Sequence, residues 1–259
     1  MNAVVILLYA LILLRVWIGV ALFNSARKNK LSNLYWLVLM FGVTIIAVAF
    51  APMVGNPLGD LPVISLWMFV GFPALFSWVL VFFVHTTFYT GKKSPIAWML
   101  GAYAVLALAS LYGVVVSKSN FDQSPWTSAF NLTQMLLWGW HGWAAWQAYQ
   151  GVSRERAVED WVKARYWMMV AYSVVLVLAA AASIVRVVGA GGSSVSALGN
   201  AMSLVSLVGQ ILSVGLQFLV WVMPESFRKW LNRNFKSPMA VGAFPELSEQ
   251  ELITQLKAR

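Results

Sequence analysis

The chain is 259 residues long, 60% hydrophobic and only 10% charged, with a mean hydropathy of +0.73. A soluble domain carries roughly 25% charged residues, so this balance excludes an ordinary water-soluble globule and leaves little room for a separate catalytic domain of ~100 residues. The net charge of +9 does not point to nucleic acid, because the basic residues fall in alternate connections, and the absence of cysteine removes disulfides, thiolate metal sites, covalent c-type haem and palmitoylation.

Seven apolar stretches follow one another, each about the 20 residues that a helix needs to cross ~30 Å of hydrocarbon. They run over 3–23, 34–53, 65–89, 96–116, 130–149, 166–188 and 201–222. Lipid-exposed backbone must satisfy its own hydrogen bonds, and these runs are too uniformly apolar for barrel strands, so an all-α seven-helix bundle is expected. It would occupy 1–223, with a cytoplasmic tail over 224–259.

The first stretch has no basic n-region and no A-x-A site, and reads as a mature helix rather than a cleaved signal. It carries Arg15 with no acidic partner in any stretch. Two readings stay open: the side chain snorkels toward the headgroups, or it turns inward to Gln, His or helix carbonyls. After the second stretch, 55–62 is a compact turn rich in Gly and Pro. In the third, Pro73 after Gly71 predicts a kink. Ser124, Pro125 and Trp126 lead into the fifth, where Gln134, Trp138, His141 and Ala145 share one helical face. Ser153 to Arg165 reads as helical, with Glu155 and Glu159 spaced to meet Lys163 and its basic neighbours. The sixth stretch holds the small-residue run 179–183, suited to close helix packing. A Gly/Ser connector over 189–194 then leads to the seventh, where Ser203, Ser206, Gln210, Ser213 and Gln217 recur along one face. In the tail, Phe227, Trp230 and Leu231 share a face beside Arg228 and Lys229, as in a helix lying among headgroups. Ser248 and Glu251 form a capping box before an apolar stripe of Leu252, Ile253 and Leu256. That stripe either packs on the protein's own loops or docks a partner. Trp230 and these three residues are the candidate docking positions.

Lys and Arg fall unevenly between the two sides. Arg27, Lys28, Lys30, Lys92, Lys93, Arg154, Arg156, Lys163, Arg165 and the six basic residues of the tail share one side. Lys118 and Arg186 alone lie toward the other, and the positive-inside rule then puts the N-terminus outside and the C-terminus in the cytoplasm.

Polar groups in hydrocarbon usually face the bundle interior. Gln134, Trp138, His141, Gln210 and Arg15 are therefore the candidate ligand contacts, with interhelical hydrogen bonding as the plainer role. His141 and Gln210 are expected near mid-membrane, facing a common interior. No catalytic residue and no metal site is expected. No carboxylate lies in a stretch, which disfavours ion-coupled transport, and no Lys lies in the seventh, which excludes a retinal Schiff base. No zinc-hydrolase, phosphate-loop or nucleophile-elbow motif occurs, which points away from an enzyme. His85 and His141 are the chain's two histidines, and the remote possibility of a b-type haem electron carrier would use them as ligands.

The run Trp67-Met68-Phe69-Val70-Gly71-Phe72-Pro73, followed by Phe82-Phe83-Val84-His85 and Tyr89-Thr90-Gly91, resembles the Pro-containing span of bacterial seven-transmembrane sensory-input modules. The resemblance covers about a tenth of the chain. It implies an integral protein of the bacterial inner (cytoplasmic) membrane that binds a small or lipophilic ligand. No kinase, cyclase or DNA-binding module follows the seventh stretch, so the signal would pass to a separate cytoplasmic or membrane protein. The alternative expectation is a non-catalytic subunit or scaffold of a larger membrane complex.

Overall fold

The structure, a computed structural model, describes residues 3–50, 71–89, 93–117, 127–155, 158–189 and 197–235. It is all-helical. Seven long helices are described: α1 (Ala3–Asn29), α2 (Ser32–Phe50), α3 (Phe72–Phe88), α4 (Ile96–Ser117), α5 (Thr127–Ser153), α6 (Asp160–Gly189) and α7 (Ala197–Trp221), followed by the short α8 (Glu225–Asn234). Two of them, over Asp160–Val188 and Ala197–Trp221, are long and apolar enough by themselves to cross a membrane. The turns predicted at 55–62, 124–126 and 190–194, and the tail helix with Leu252, Ile253 and Leu256, lie outside the described residues. So does the first part of the third stretch. Pro73 therefore stands in the first turn of α3 as described, behind a Gly71 of helical dihedrals (φ −65°, ψ −52°), and the kink predicted there falls at the edge of what is seen.

Side-chain contacts fix the directions of the helices. The end of α1 meets the start of α2 through Phe23 and Tyr35. The start of α2 meets the end of α3 through Asn33 Nδ2, which donates to Thr87 Oγ1 at 3.3 Å. The end of α7 meets the start of α6, where the Arg165 guanidinium lies 4.7 Å from the Trp221 ring centroid. These neighbours run antiparallel, and the ends of α1, α3, α5 and α7 gather with the starts of α2, α4 and α6. Apart from Arg15 and Arg186, the Lys and Arg of the described residues all stand at this end.

The packing order closes on itself. α1 packs on α2, α2 on α3, α3 on α5, α5 on α6, α6 on α7 and α7 back on α1. The α5–α6 and α6–α7 seams are the most extensive, and α7–α1 is the slightest of the ring. Small residues explain the first two: a β-carbon at Gly142 would come 3.0 Å from Ser173 Cβ, and one at Gly209 3.0 Å from Ala179 Cβ, so the backbones approach as closely as they do only because both are glycines. α4 touches α3 and α5 and stays outside the ring.

Two connections carry the sharpest turns. Lys30 takes a left-handed conformation (φ 52°) and the Leu31 N–H donates back to the Ala26 carbonyl at 3.1 Å, which is the 6→1 bond of a Schellman stop. Met223 (φ 38°) and Pro224 break the chain between α7 and α8.

The helix predicted across Ser153 to Arg165 is not formed as one element. α5 ends at Ser153, turns close through Glu155 N–H to the Val152 carbonyl and Val158 N–H to the Glu155 carbonyl, and α6 begins at Asp160. The reason is topological: adjacent antiparallel helices need a reversal between them. Lys163 consequently pairs with Asp160 at 3.7 Å rather than with Glu155 or Glu159, and Asp160 sits in the first turn of α6, where the helix dipole favours a carboxylate.

Candidate functional site

The ring lines a half-open cavity of about 300 Å³ at mid-bundle, toward the end opposite the basic one. Its position follows from the helix directions: it is lined by early residues of α3 and α5 (Phe72, Phe76, Phe130, Gln134) and late residues of α2 and α6 (Thr44, Ser183). Among the described residues, α4 contributes nothing to it.

The two halves of the wall differ in chemistry. α2, α3 and α5 present mainly Met40, Phe41, Val43, Phe72, Phe76, Phe130 and Trp138. α7 presents Ser206, Gln210, Ser213 and Gln217, whose spacing keeps them on one face, and α6 adds Ser183. Most of these polar groups are already committed. Ser183 Oγ donates to the Ala179 carbonyl at 3.1 Å, so Ser206 Oγ, also at 3.1 Å, donates to Ser183. Ser213 Oγ donates to the Gln210 carbonyl at 2.8 Å, and Thr44 Oγ1 to the Met40 carbonyl at 2.7 Å. Gln134 Nε2 donates to Ser77 Oγ at 3.1 Å, both groups being buried.

Arg15 is the charged group of this wall. Its side chain turns inward rather than snorkelling, is 8% exposed, and lines the cavity from α1. Nη2 donates to Gln210 Oε1 at 3.3 Å, a long bond to a neutral acceptor. No ion pair with Arg15 forms among the described residues. Among the described residues the carboxylates are Glu155 and Glu159 between α5 and α6, Asp160 in the first turn of α6 and Glu225 in α8.

Of the five candidate ligand contacts, Arg15, Gln134, Trp138 and Gln210 converge on this cavity. His141 does not line it. Seven residues beyond Gln134 on the same face, it lies two turns nearer the basic end, fully buried between Phe83, Phe88, Trp138 and Tyr172. Ser173 fixes its tautomer. The one proton of that hydroxyl goes to the Met169 carbonyl at 2.7 Å, so Ser173 Oγ accepts from His141 Nδ1–H at 2.7 Å. Nε2 is left as an acceptor and takes the Tyr172 O–H at 2.8 Å. Both ring nitrogens are thus used within the protein, and a haem iron would have to displace one of these partners. His85 lies farther along α3, with Nδ1 2.8 Å from Ser94 Oγ. Among the described residues no group of three or more His, Cys, Asp or Glu could hold a metal ion.

The lining residues that sequence reasoning did not single out fall into two kinds. Thr44 and Asn131 are isolated polar residues in apolar stretches, which was a usable signal. Met40, Phe41, Phe72 and Phe76 are apolar residues in apolar stretches, and nothing in the sequence separates a cavity wall from a lipid-facing one.

At the basic end, α8 is docked on the start of α6. Asn232 Oδ1 accepts from the Trp161 backbone N–H at 3.0 Å, Asn232 Nδ2 donates to Glu159 Oε2 at 3.2 Å, and Trp161 Nε1 donates to the same oxygen at 2.6 Å. Arg228 lies 5.5 Å from the Trp161 ring centroid. Leu231 is buried, whereas Trp230, the candidate docking residue, is exposed and stacked on Phe227. No protein-family model matches the chain, and no curated protein or solved structure does either.

Proposed function

We propose that the chain is a seven-helix protein of the bacterial cytoplasmic membrane, N-terminus outside and C-terminus inside, that binds a small lipophilic ligand within the bundle and signals through a separate cytoplasmic partner. The observation that carries this reading is the cavity, ringed by six helices and holding a buried, unneutralised Arg15. A purely structural bundle gains nothing from such a space: interiors normally pack without voids, and a buried charge without a counter-ion costs ~3–5 kcal/mol. The gathering of basic residues at the opposite end supports the orientation.

A continuous packed path is available to such a signal. Trp138 touches both the cavity and His141, His141 bonds Tyr172 and Ser173 on α6, and the start of α6 holds α8 through Glu159, Trp161 and Asn232. α8 and the tail would present the docking surface, with Trp230 its described apolar contact.

The test has two arms. Because the chain has no cysteine, single substitutions report sidedness. Asn56→Cys and Gly191→Cys should react with an impermeant maleimide in intact cells, and Arg154→Cys only after lysis. In the second arm n-octanol is titrated calorimetrically into protein in nanodiscs. Saturable binding is expected for the wild type and is lost in Ala180→Phe, which fills the cavity. Reaction of all three cysteines from one side, or octanol uptake no different from empty nanodiscs, would refute the proposal.

A further inference from the structure

Arg15 also narrows the class of ligand, given that the cavity is a binding site. A guanidinium is charged at neutral pH and offers five N–H donors in a planar fork that matches a carboxylate. Here one donor is used, by Gln210 Oε1 at 3.3 Å. The groups facing it from α2, α5, α6 and α7 are hydroxyls and amides, most of them bonded elsewhere, and among the described residues no carboxylate stands at its depth on any of those helices. Opposite, Met40, Phe41, Phe76 and Phe130 form an apolar wall.

We infer that the ligand is an amphiphilic monoanion, a carboxylate or similarly charged head on an apolar body, with the head at Arg15 and Gln210 and the body against the phenyl rings of α3 and α5. The cavity's 300 Å³ is about ten waters' worth at ~30 Å³ each, which suits a medium-chain or aryl acid. The head would also bridge α1 to α7, the slightest seam of the ring, which otherwise rests on the Arg15–Gln210 bond and on Trp17 against Phe218 at 4.8 Å. A free acid and the headgroup end of an anionic lipid share this chemistry.

The experiment compares three probes of equal chain length, octanoate, n-octanol and octylammonium, by calorimetry on the full chain in zwitterionic nanodiscs. Octanoate should bind about tenfold or more tighter than octanol, a difference of roughly 1.4 kcal/mol, and octylammonium should not bind. Arg15→Gln should erase the preference while leaving octanol affinity within about twofold, and Arg15→Lys should retain part of it. The wild-type comparison stands even where a variant does not fold. Equal binding of octanoate and octanol, or a preference that survives Arg15→Gln, overturns the anion assignment but leaves the cavity as a site. No saturable binding of any probe overturns the site itself. Repeating the octanol titration in phosphatidylglycerol nanodiscs divides the sources, because the anionic surface does not repel a neutral probe: weaker octanol binding there identifies the lipid as the anion, and unchanged binding a free acid.

Discussion

His141 and Tyr172 form a fully buried side-chain pair that ties α5 to α6, and its worth can be measured. In His141→Phe a ring of similar size stays between Phe83, Phe88 and Trp138, so little packing is lost. Ser173 keeps its bond to the Met169 carbonyl and is not stranded. Tyr172 loses its acceptor at 2.8 Å while remaining fully buried. An unsatisfied buried hydroxyl costs ~1–3 kcal/mol. Tyr172→Phe strands Nε2 of His141 in the same way and should cost a similar amount. The double variant removes both partners and should be less destabilised than the sum. Couplings between polar pairs in membrane helices average ~0.6 kcal/mol with a maximum near ~1.7, and full burial puts this pair in the upper half of that range. The assay is SDS-induced unfolding in mixed micelles, followed by far-UV circular dichroism, on the wild type, both singles and the double. Costs that add within ~0.3 kcal/mol would refute the assigned bond, and with it the tautomer argued from Ser173.

Two further outcomes follow from the seams at either end of the bundle. Gly209→Ala places a β-carbon 3.0 Å from Ala179 Cβ, and both atoms are fixed to helix backbone, so α6 and α7 must part by a few tenths of an ångström. Alanine's helix preference returns ~1 kcal/mol, while overpacking costs ~1–3. A net loss of about 1 kcal/mol in the same unfolding assay is expected, rescued by Ala179→Gly, and an unrescued loss would count against the contact. Asn232→Ala removes two bonds between α8 and the start of α6, both at an exposed site, for a global cost of only ~0.5–1 kcal/mol. Amide exchange over Glu225–Asn234 should nonetheless quicken, and unchanged protection there would show that Leu231 and the Arg228–Trp161 contact hold the helix without Asn232.

The helices were legible because a run of apolar residues about twenty long has few other solutions, and α5 and α7 were the most legible of all because their polar residues repeat with helical period. What period cannot give is depth against the neighbours. Gln134 and His141 share a face at i and i+7, yet one meets the cavity and the other an aromatic cage, since α3 and α6 change from Phe76 and Ala180 to Phe83 and Tyr172 over the same two turns. Arg15 was undecidable for a related reason: its partner, Gln210, is 195 residues away in sequence. The reversal at 154–159 was missed because Glu155, Glu159 and Lys163 have helical charge spacing, and local pairing rules do not see that the chain must turn back.

The place of α4 follows from the same logic. A helix joins the ring only if it has something to offer the interior, and α4, which buries one side against α3 and α5, lines none of the cavity among the described residues. Its described outward residues are Trp98 at 84% exposure, with Val105, Leu108 and Tyr112 one to two turns apart along the same side, whereas its buried side is centred on Tyr103. Those exposed side chains are large and apolar, which in water would make this the least stable surface of the molecule and in hydrocarbon makes it ordinary. The helix therefore supports α3 and α5 from outside. The six remaining helices close the ring, with α1 completing it through the slight seam that carries Arg15. Placing a buried cation that has no ion pair among the described residues at the seam with the least packing ties the closure of the ring to whatever neutralises that charge.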